Sequence, residues 1–428
     1  MQDSRKLVEH FFRHEYGRLV AVLTRSLGVR NLELVEDVVQ SSLSKALQTW
    51  GLKGIPDDPG AWLYTTSRNL AIDALRRTQT EYRLLTESQL HASGSTQDHS
   101  RAVHFDIEVG DEPLRLLFLC CHPSIPLESS IAVALRIVSG FSTDEVTSAL
   151  LVSKASVEKR IARAKEKLRE VGMELAELDN ATLQSRMDAV QSTIYLLFNE
   201  GYSSSSGDAT LRKDLCEEAL RLARMLIHFV NGSGASSYAL LALMLMHSAR
   251  FDARVDVNGS TVLLEAQDRS RWDWSRVREA MEWMQKSATG DQLSRYHIEA
   301  SIAWEHCRAK SFDDIDWKKI VESYQFLEEN HPGPMVRLNL AIAWSYATSP
   351  EFGLIRLTEI SATERARLRP WWDCAIADVL HRLGKFPEAI SHWQDAMLLA
   401  VNFDQRNLIA KRIEQARSVC QKKVARQS

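Results

Sequence analysis

Apolar residues return at steps of three and four along nearly the whole of this chain. Val35, Val39, Leu43, Ala46 and Trp50 follow that spacing, and so do Val157, Ile161, Ala164 and Leu168. Such spacing lines one face of a helix, whereas the alternation expected of a half-buried strand is scarce. Proline is rare, at 10 residues, and sits mostly at the edges of the periodic runs. The pattern predicts an all-α protein. With 428 residues the chain is too long for one ordinary core, so two to four domains are expected.

One polar stretch, TESQLHASGSTQDHSRAVHFDIEVGDEP, lacks periodicity and reads as a linker. It separates a first helical domain at 1–87 from a second at 113–173, with the linker itself at 88–112. A larger helical domain follows at 180–428. It is interrupted by NEGYSSSSGD and VNGSGASS.

Composition closes several functional routes. The six cysteines show no CxxC and no regular spacing, so neither a disulfide framework nor a zinc site is expected. Adjacent Cys120 and Cys121 in CCHP make poor joint ligands for one ion, and are expected to pack a helix instead. His247, among apolar residues, reads as a core histidine. No apolar run is long enough to span a membrane and the N-terminus lacks a secretory core, so a reducing cytoplasm is the expected home, with no membrane partner. Gly-rich phosphate loops, GxSxG and HExxH are all missing. The expectation is no catalytic residue, no metal and no cofactor: a protein that acts by binding.

Charge then singles out one segment. The chain carries a formal charge of −3, yet from Ser153 to Arg169 there are seven Lys or Arg and two Glu, a net charge of +5. Just before it, Ser142 and Glu145 form a capping-box pair, so a helix starts there, with Val146, Ala149 and Leu150 on its buried face. After a short turn, Ser153 can cap a second helix. On that helix Val157, Ile161, Ala164 and Leu168 form the apolar stripe, and Ser156, Lys159, Arg160, Arg163 and Lys167 share a flanking face. Two short helices with a basic second member make a helix-turn-helix, whose second helix enters the major groove. A solvated amphipathic helix is the plain alternative; the capping box and two-helix spacing favour DNA.

The first domain has a comparable face. Asp58 is a good N-cap, and Pro59 suits the first helical position. Leu63, Leu70 and Ala74 are expected to face inwards. Trp62, Thr66, Asn69, Asp73 and Arg76 fall opposite at steps of four, three, four and three. Aromatic, amide and cationic groups together suit single-stranded DNA. The alternative for Trp62 is packing against the loop from Gly51 to Asp58, and the two roles are compatible.

These segments resemble the extracytoplasmic-function class of the sigma-70 family. Gly140, Ser142, Glu145, Leu150, Val152, Ser156, Val157, Arg160, Ile161, Arg163 and Ala164 match its region 4, with Leu151 and Ala155 where glycines are usual. Glu36, Asp37 and Gln40 match the signature of the region 2 helix that binds core RNA polymerase. Pro59, Ala61, Trp62, Leu63, Arg68, Asn69, Ile72, Asp73 and Arg76 match the part of region 2 that meets the −10 element. The resemblance implies a region 2 bundle docking polymerase through Glu36, Asp37 and Gln40. It implies −10 contacts from Trp62, Thr66, Arg68, Asn69, Asp73 and Arg76, and −35 contacts from Lys154, Ser156, Lys159, Arg160 and Arg163. The partners it implies are bacterial core RNA polymerase and promoter DNA.

Near the C-terminus, Gly384, Phe386, Ala389, Trp393 and Ala396 match half of a tetratricopeptide repeat, and such repeats bind a protein or peptide. The whole chain resembles the subgroup of this class with a tetratricopeptide-like regulatory extension. Two dense stretches, LFNEGYSSSSGD and LLEAQDRSRWDW, either line a pocket through Glu200, Asp268, Arg269 and Arg271 or brace neighbouring helices. The rivals are a helical-repeat adaptor, in which the N-terminal blocks are idle, and a repressor that binds duplex DNA without polymerase.

Overall fold

The computed structural model describes residues 2–87, 111–150, 152–172, 180–203, 211–229, 234–256, 260–289, 293–400 and 403–425. The predicted linker lies almost wholly outside these residues, as does Leu151. The described residues form nineteen α-helices, short 3-10 turns and one isolated antiparallel bridge between Val255 and Thr261, with no strand among them. The all-α expectation holds. The chain divides into two compact units, one of residues 1–197 with 228–231, the other of 198–227 with 232–428.

The first unit starts with α1 (Gln2–Leu27), α2 (Leu32–Lys53) and α3 (Pro59–Glu87). α4 (Glu112–Cys120), α5 (Leu127–Ile137), α6 (Thr143–Leu150) and α7 (Lys154–Val171) follow, and then α8 (Asn180–Tyr202), within which the unit boundary falls. The expected starts are observed. Ala61 N–H donates to Asp58 Oδ1 at 2.9 Å, and Pro59 opens α3. Both halves of the capping box form at α6: Ser142 N–H donates to Glu145 Oε2 at 2.7 Å, and Glu145 N–H to Ser142 Oγ at 3.2 Å. Ser153 Oγ accepts from Ser156 N–H at 3.3 Å, and Gly172 closes α7 with φ of 58°.

α1 packs on α2, α3 and α4, and α5 packs on α4, α6 and α7. Leu19, Val20, Leu23, Val35, Val39 and Leu63 fill the first part of the core; Leu114, Phe118, Leu135, Phe141 and Val157 continue it. At Gly17 of α1 an added Cβ would lie 1.9 Å from the Val138 carbonyl oxygen at the end of α5. Only glycine permits so close an approach of two backbones. Arg186 of α8 is buried and donates to the Phe118 carbonyl of α4 at 2.8 Å.

In the second unit α9 (Lys213–Phe229) precedes α10 (Gly234–Ser248), which is buried almost all round, as its unbroken run Ala239 to Met246 requires. α11 (Trp274–Ser287) and α12 (Arg295–Arg308) pack against it. Helices then follow one another as packed neighbours: α13 (Trp317–Asn330), α14 (Pro334–Ala347), α15 (Pro350–Glu359), the short α16 (Ala362–Leu368), α17 (Trp371–Arg382), α18 (Phe386–Leu399) and α19 (Phe403–Ala425). Phe386, Ala389, Trp393 and Ala396, singled out in the sequence, are all buried in one apolar cluster with Ile376, Leu380 and Ile413. Gly384 turns the chain from α17 into α18 with φ of 75°.

Gly17→Ala is expected to lower stability by about 1–3 kcal/mol, because the new methyl forces α1 away from α5. The control is Gly51→Ala on α2, where no atom lies within 4 Å of an added Cβ; it is expected to stabilise by roughly 0.5–1 kcal/mol. Urea unfolding of the two variants checks the contrast, and a Gly17→Ala protein as stable as the parent contradicts the close approach.

Candidate nucleic-acid interface

α2 buries Val35, Val38, Val39 and Ala46, and it presents Glu33, Asp37, Gln40 and Ser44 to solvent. Asp37 and Gln40 therefore stand together on an open face. Glu36 does not join them. It is 4% exposed, with Lys165 Nζ of α7 2.6 Å from its Oε2. Tyr16 of α1 donates its hydroxyl to Glu36 Oε1 at 3.3 Å. Burial, and then the charge of Glu36, pushes the Tyr16 phenol well above the ordinary tyrosine range. Beside this pair, Arg169 meets Glu33 at 3.0 Å on a more exposed rim. Of the three residues expected at the polymerase face, the structure thus brings Asp37 and Gln40 to the surface and turns Glu36 inward.

The stripe of α7 is as expected: Val157, Ala164 and Leu168 are buried and Ile161 half-buried. Its cations have different neighbours. Lys165 turns inward to Glu36. Arg160 donates to Glu128 of α5 at 2.6 Å. Lys154 pairs with Asp144 of α6 at 2.9 Å, and that carboxylate raises the ammonium above the ordinary lysine range. Lys159 and Arg163 stand in solvent with no ion pair among the described residues. Ser156 is half-buried beside the cap of its helix. Sequence reasoning missed the pairs to Glu36 and Glu128, whose partners lie far apart in the chain.

On α3, Asn69, Asp73 and Arg76 are exposed, and Trp62, Thr66 and Arg68 are half-buried. The Trp62 ring lies edge-on to Trp50 of α2, with centroids 5.5 Å apart. Phe11 and Phe12 meet the same Trp50 ring at 6.2 and 5.6 Å. Trp62 therefore has a packing partner on α2 while one side of its residue stays open. The inward face of α3 is Leu63, Ser67 and Ala71, all fully buried, with Leu70 and Ala74 only half-buried. Small residues let α2 and α3 approach, and Ser67 Oγ donates to Ser42 Oγ at 2.8 Å across that contact. A stripe drawn from the larger apolar residues alone overlooks this.

Burial holds the two adjacent thiols protonated: Cys121 is pushed up to about 12 and Cys120 well above its ordinary value. His122 Nδ1 is already engaged with Ser124 Oγ at 2.7 Å. Elsewhere, Asp373, His392 and Asp395 bring ligand-type atoms within 4.8 Å of one another. Arg369 occupies Asp373 at 2.5 Å, so a cation is already seated there.

Residues 11–81, spanning α1 to α3, match the model of sigma-70 region 2. Residues 186–288 match a family of unknown function, DUF6596. A Rhizobium meliloti (strain 1021) protein described as "Uncharacterized protein R00370" is 36% identical over 389 residues, covering 90% of each chain. The chain belongs to the family of that protein. No solved structure matches. Residues 11–81 of this chain thus carry a sigma-70 region 2, the module of transcription initiation that meets core RNA polymerase and promoter DNA. None of the described helices is long and apolar enough to cross a membrane.

The contact between α2 and α7 has a measurable energy. A double-mutant cycle of Glu36→Gln and Lys165→Met is expected to give a coupling of about 1–3 kcal/mol, in the range of charged hydrogen bonds. The same cycle on the exposed pair Glu33 and Arg169 is expected to give about 0–1 kcal/mol. Equal, small couplings in both cycles would show that Glu36 is solvated and not held by α7.

Proposed function

We propose that this protein is an alternative sigma factor of the extracytoplasmic-function class. It binds core RNA polymerase through the open face of α2, the −10 element through α3 and the −35 element through α6 and α7. The observation that carries this reading is the pairing, in one chain, of a region 2 on α1 to α3 with a doubly capped α6–α7 pair whose second helix has a basic exposed side. A repressor of duplex DNA needs no region 2, and an adaptor needs neither element.

Each residue then has a role. Asp37 and Gln40 meet polymerase, joined by Glu36 once it is released. Trp62, Thr66, Arg68, Asn69, Asp73 and Arg76 face the melted −10 strand, where aromatic and amide groups hold bases and guanidinium groups hold phosphates. Ser156, Lys159, Arg160, Arg163 and Lys154 face the −35 duplex, the cations gripping phosphates and the N-terminal residues of α7 reaching base edges. The tetratricopeptide-like helical domain at 180–428 regulates this activity by holding a protein or peptide.

In this reading the ion pair between Lys165 and Glu36 belongs to a resting arrangement. Promoter spacing in sigma-dependent transcription needs α3 and α7 to reach two separate DNA elements, so α7 must leave α2. Departure breaks the pair and frees Glu36 at the moment polymerase arrives. Polymerase binding and the opening of the unit are thereby coupled.

Two measurements test the reading. In transcription with sigma-free bacterial core polymerase, the full chain is expected to start RNA at a defined upstream fragment. Arg160→Glu with Arg163→Glu is expected to abolish that product while leaving the unfolding midpoint near the parent value. Product formation by that double variant at parental levels refutes the −35 assignment, and no initiation with any fragment together with no binding to core refutes the sigma reading. Lys165→Glu, which repels Glu36, is expected to bind core polymerase several-fold more tightly than the parent. Weaker or equal binding contradicts the resting role of the pair.

A further inference from the structure

In the second unit, the irregular segment between α10 and α11 is fixed at its two roots and lightly held between them. At one root the Arg254 guanidinium lies 3.7 Å from the Tyr202 ring centre. At the other, Arg269 donates to the carbonyls of His306 and Ala309, at the end of α12, at 2.7 and 2.9 Å. Backbone hydrogen bonds pair the two arms between these roots. Val262 N–H donates to the Arg254 carbonyl at 2.8 Å, and Asp256 N–H to that of Ser260 at 2.9 Å. None of the described residues from 254 to 268 is fully buried: Val255, Val262, Leu263 and Leu264 are half-buried, and Glu265 is exposed. The helix before it, by contrast, is buried without a break from Ala239 to Met246.

What this stretch touches is the far end of the unit. Arg412 of α19 donates to Glu265 Oε1 at 2.8 Å, across 147 positions of sequence. Lys411, beside it, meets Asp256 at 3.9 Å. The same Arg412 faces Asp378 of α17 at 3.4 Å, so one guanidinium serves two carboxylates. Tyr346 of α14 is close enough for its phenol to feel the charges of Glu265 and Arg412. These three helices are packed without the segment. Leu338 and Ala341 of α14, Ile376 and Leu380 of α17, and Ile409 and Ile413 of α19 are buried in one apolar cluster. Glu265 and Lys411 are open to solvent, and ion pairs of that kind add little to stability. If Glu265 leaves, Arg412 keeps Asp378.

The polar residues singled out in this region by sequence belong to the roots or lie apart. Asp268 accepts from Ser270 N–H and Oγ–H at 2.9 and 2.7 Å, and Arg269 holds the end of α12. Arg271 is exposed, and Glu200 is buried within α8. The stretch between the roots has the form of a bound peptide. Leu263 is extended, aliphatic residues precede a carboxylate, and that carboxylate rests on a guanidinium of another element.

We propose that α14, α17 and α19 form a docking surface for an acidic peptide of a partner protein, and that the chain's own segment between Arg254 and Asp268 occupies it as an internal copy. This rests on the reading that the helical domain holds a protein or peptide, and it names the partner's chemistry: aliphatic residues followed by a carboxylate, as in Leu263, Leu264 and Glu265. The partner's carboxylate takes the place of Glu265 on Arg412, and a second acid takes that of Asp256 on Lys411. A guanidinium that gives up one carboxylate for another is left with no unpaired charge, so the exchange avoids the main cost of breaking an ion pair. A tethered copy competes at an effective concentration of about millimolar order. The internal segment therefore sets a threshold that a partner must exceed, and it rejects acidic peptides that match the surface poorly.

The probe is a fluorescein-labelled synthetic peptide with the chain's own sequence from Arg254 to Asp268, its binding to the full chain followed by anisotropy. Glu265→Arg in the protein drives the internal copy off Arg412. That variant is expected to bind the peptide at least about tenfold more tightly than the parent, in which the tethered copy competes. A peptide that itself carries Glu265→Arg is expected to bind the variant at least about tenfold more weakly, since it meets Arg412 with a like charge. Hydrogen exchange on the parent needs no substitution and keeps the test valid if Glu265→Arg fails to fold. The amides of Asp256 and Val262 are expected to exchange at least about a hundredfold faster than those of Ile376 and Ile413, because the segment opens while α17 and α19 stay folded. The proposal is overturned if the peptide binds the Glu265→Arg protein no more tightly than the parent, or if the charge-reversed peptide binds it equally well. Equal protection of the segment and of α17 and α19 overturns it too. Transcription and core binding judge the sigma reading separately, so a failure here leaves that reading standing.

Discussion

A carboxylate withdrawn from water has to be answered by a cation or a proton donor, and Glu36 is answered by both. Lys165 supplies the charge and Tyr16 the hydroxyl. Since Lys165 sits on α7 and Tyr16 on α1, one buried group ties three helices from distant parts of the chain. The first unit is organised around that requirement. Gly17 lets α1 reach the end of α5, Arg25 on α1 pairs with buried Glu112 at the start of α4, and Arg169 meets Glu33 beside the central pair. Removing α7 from α2 strands Glu36 unless another cationic or polar partner takes its place. A binding partner with donors for that carboxylate is therefore favoured over one that only covers the surface.

The features that sequence reasoning recovered are those written within a few residues of each other. Ser142 with Glu145, Asp58 before Pro59, Ser153 at the start of α7 and the stripe Val157, Ala164, Leu168 all concern one turn or one face of one helix. Helical geometry alone relates such positions. What it missed depends on two segments at once. Glu36 occurs in a match to a polymerase-binding signature, and nothing local says that a lysine more than a hundred positions later will cover it. One signal was present: Glu36 lies between Val35 and Val38, both buried, at the edge of the apolar stripe of α2. The inward face of α3 was misjudged for a related reason. Leu70 and Ala74 carry the hydrophobic pattern, but Ser42, Ser67 and Ala71 set the spacing between two closely packed helices.

The second unit shows the same division. α10 is apolar on every side in the sequence and buried in the structure, and Phe386, Ala389, Trp393 and Ala396 pack where their spacing put them. The segment between α10 and α11 has no period, so its contacts could not be anticipated from pattern. Its order comes from polar caps, with Asp268 and Asp273 each accepting from the backbone just after it. Those caps turn Arg269 inward and leave Arg271 outside, a choice invisible in the string RSRW. Where no hydrophobic stripe dictates the fold, the hydrogen-bonding needs of a few backbone groups decide which side chain turns inward.

The charge pattern of α7 raises a final point about how DNA would be held. Its cations face carboxylates: Lys154 meets Asp144, Arg160 meets Glu128, Lys165 meets Glu36 and Arg169 meets Glu33. Of the cations proposed to meet the −35 element, Lys159 and Arg163 alone are unpaired within the described residues. Phosphates that arrive at α7 must displace those carboxylates from Lys154 and Arg160, so part of the attraction to DNA is exchanged for attraction already present. A net charge of +5 on the segment then acts on random duplex as a smaller one, since unpaired charge steers non-specific association. On the proposed reading, full charge becomes available only where base and polymerase contacts offset the broken pairs. On the proposed sigma reading, selectivity for a promoter over bulk DNA would follow from that exchange.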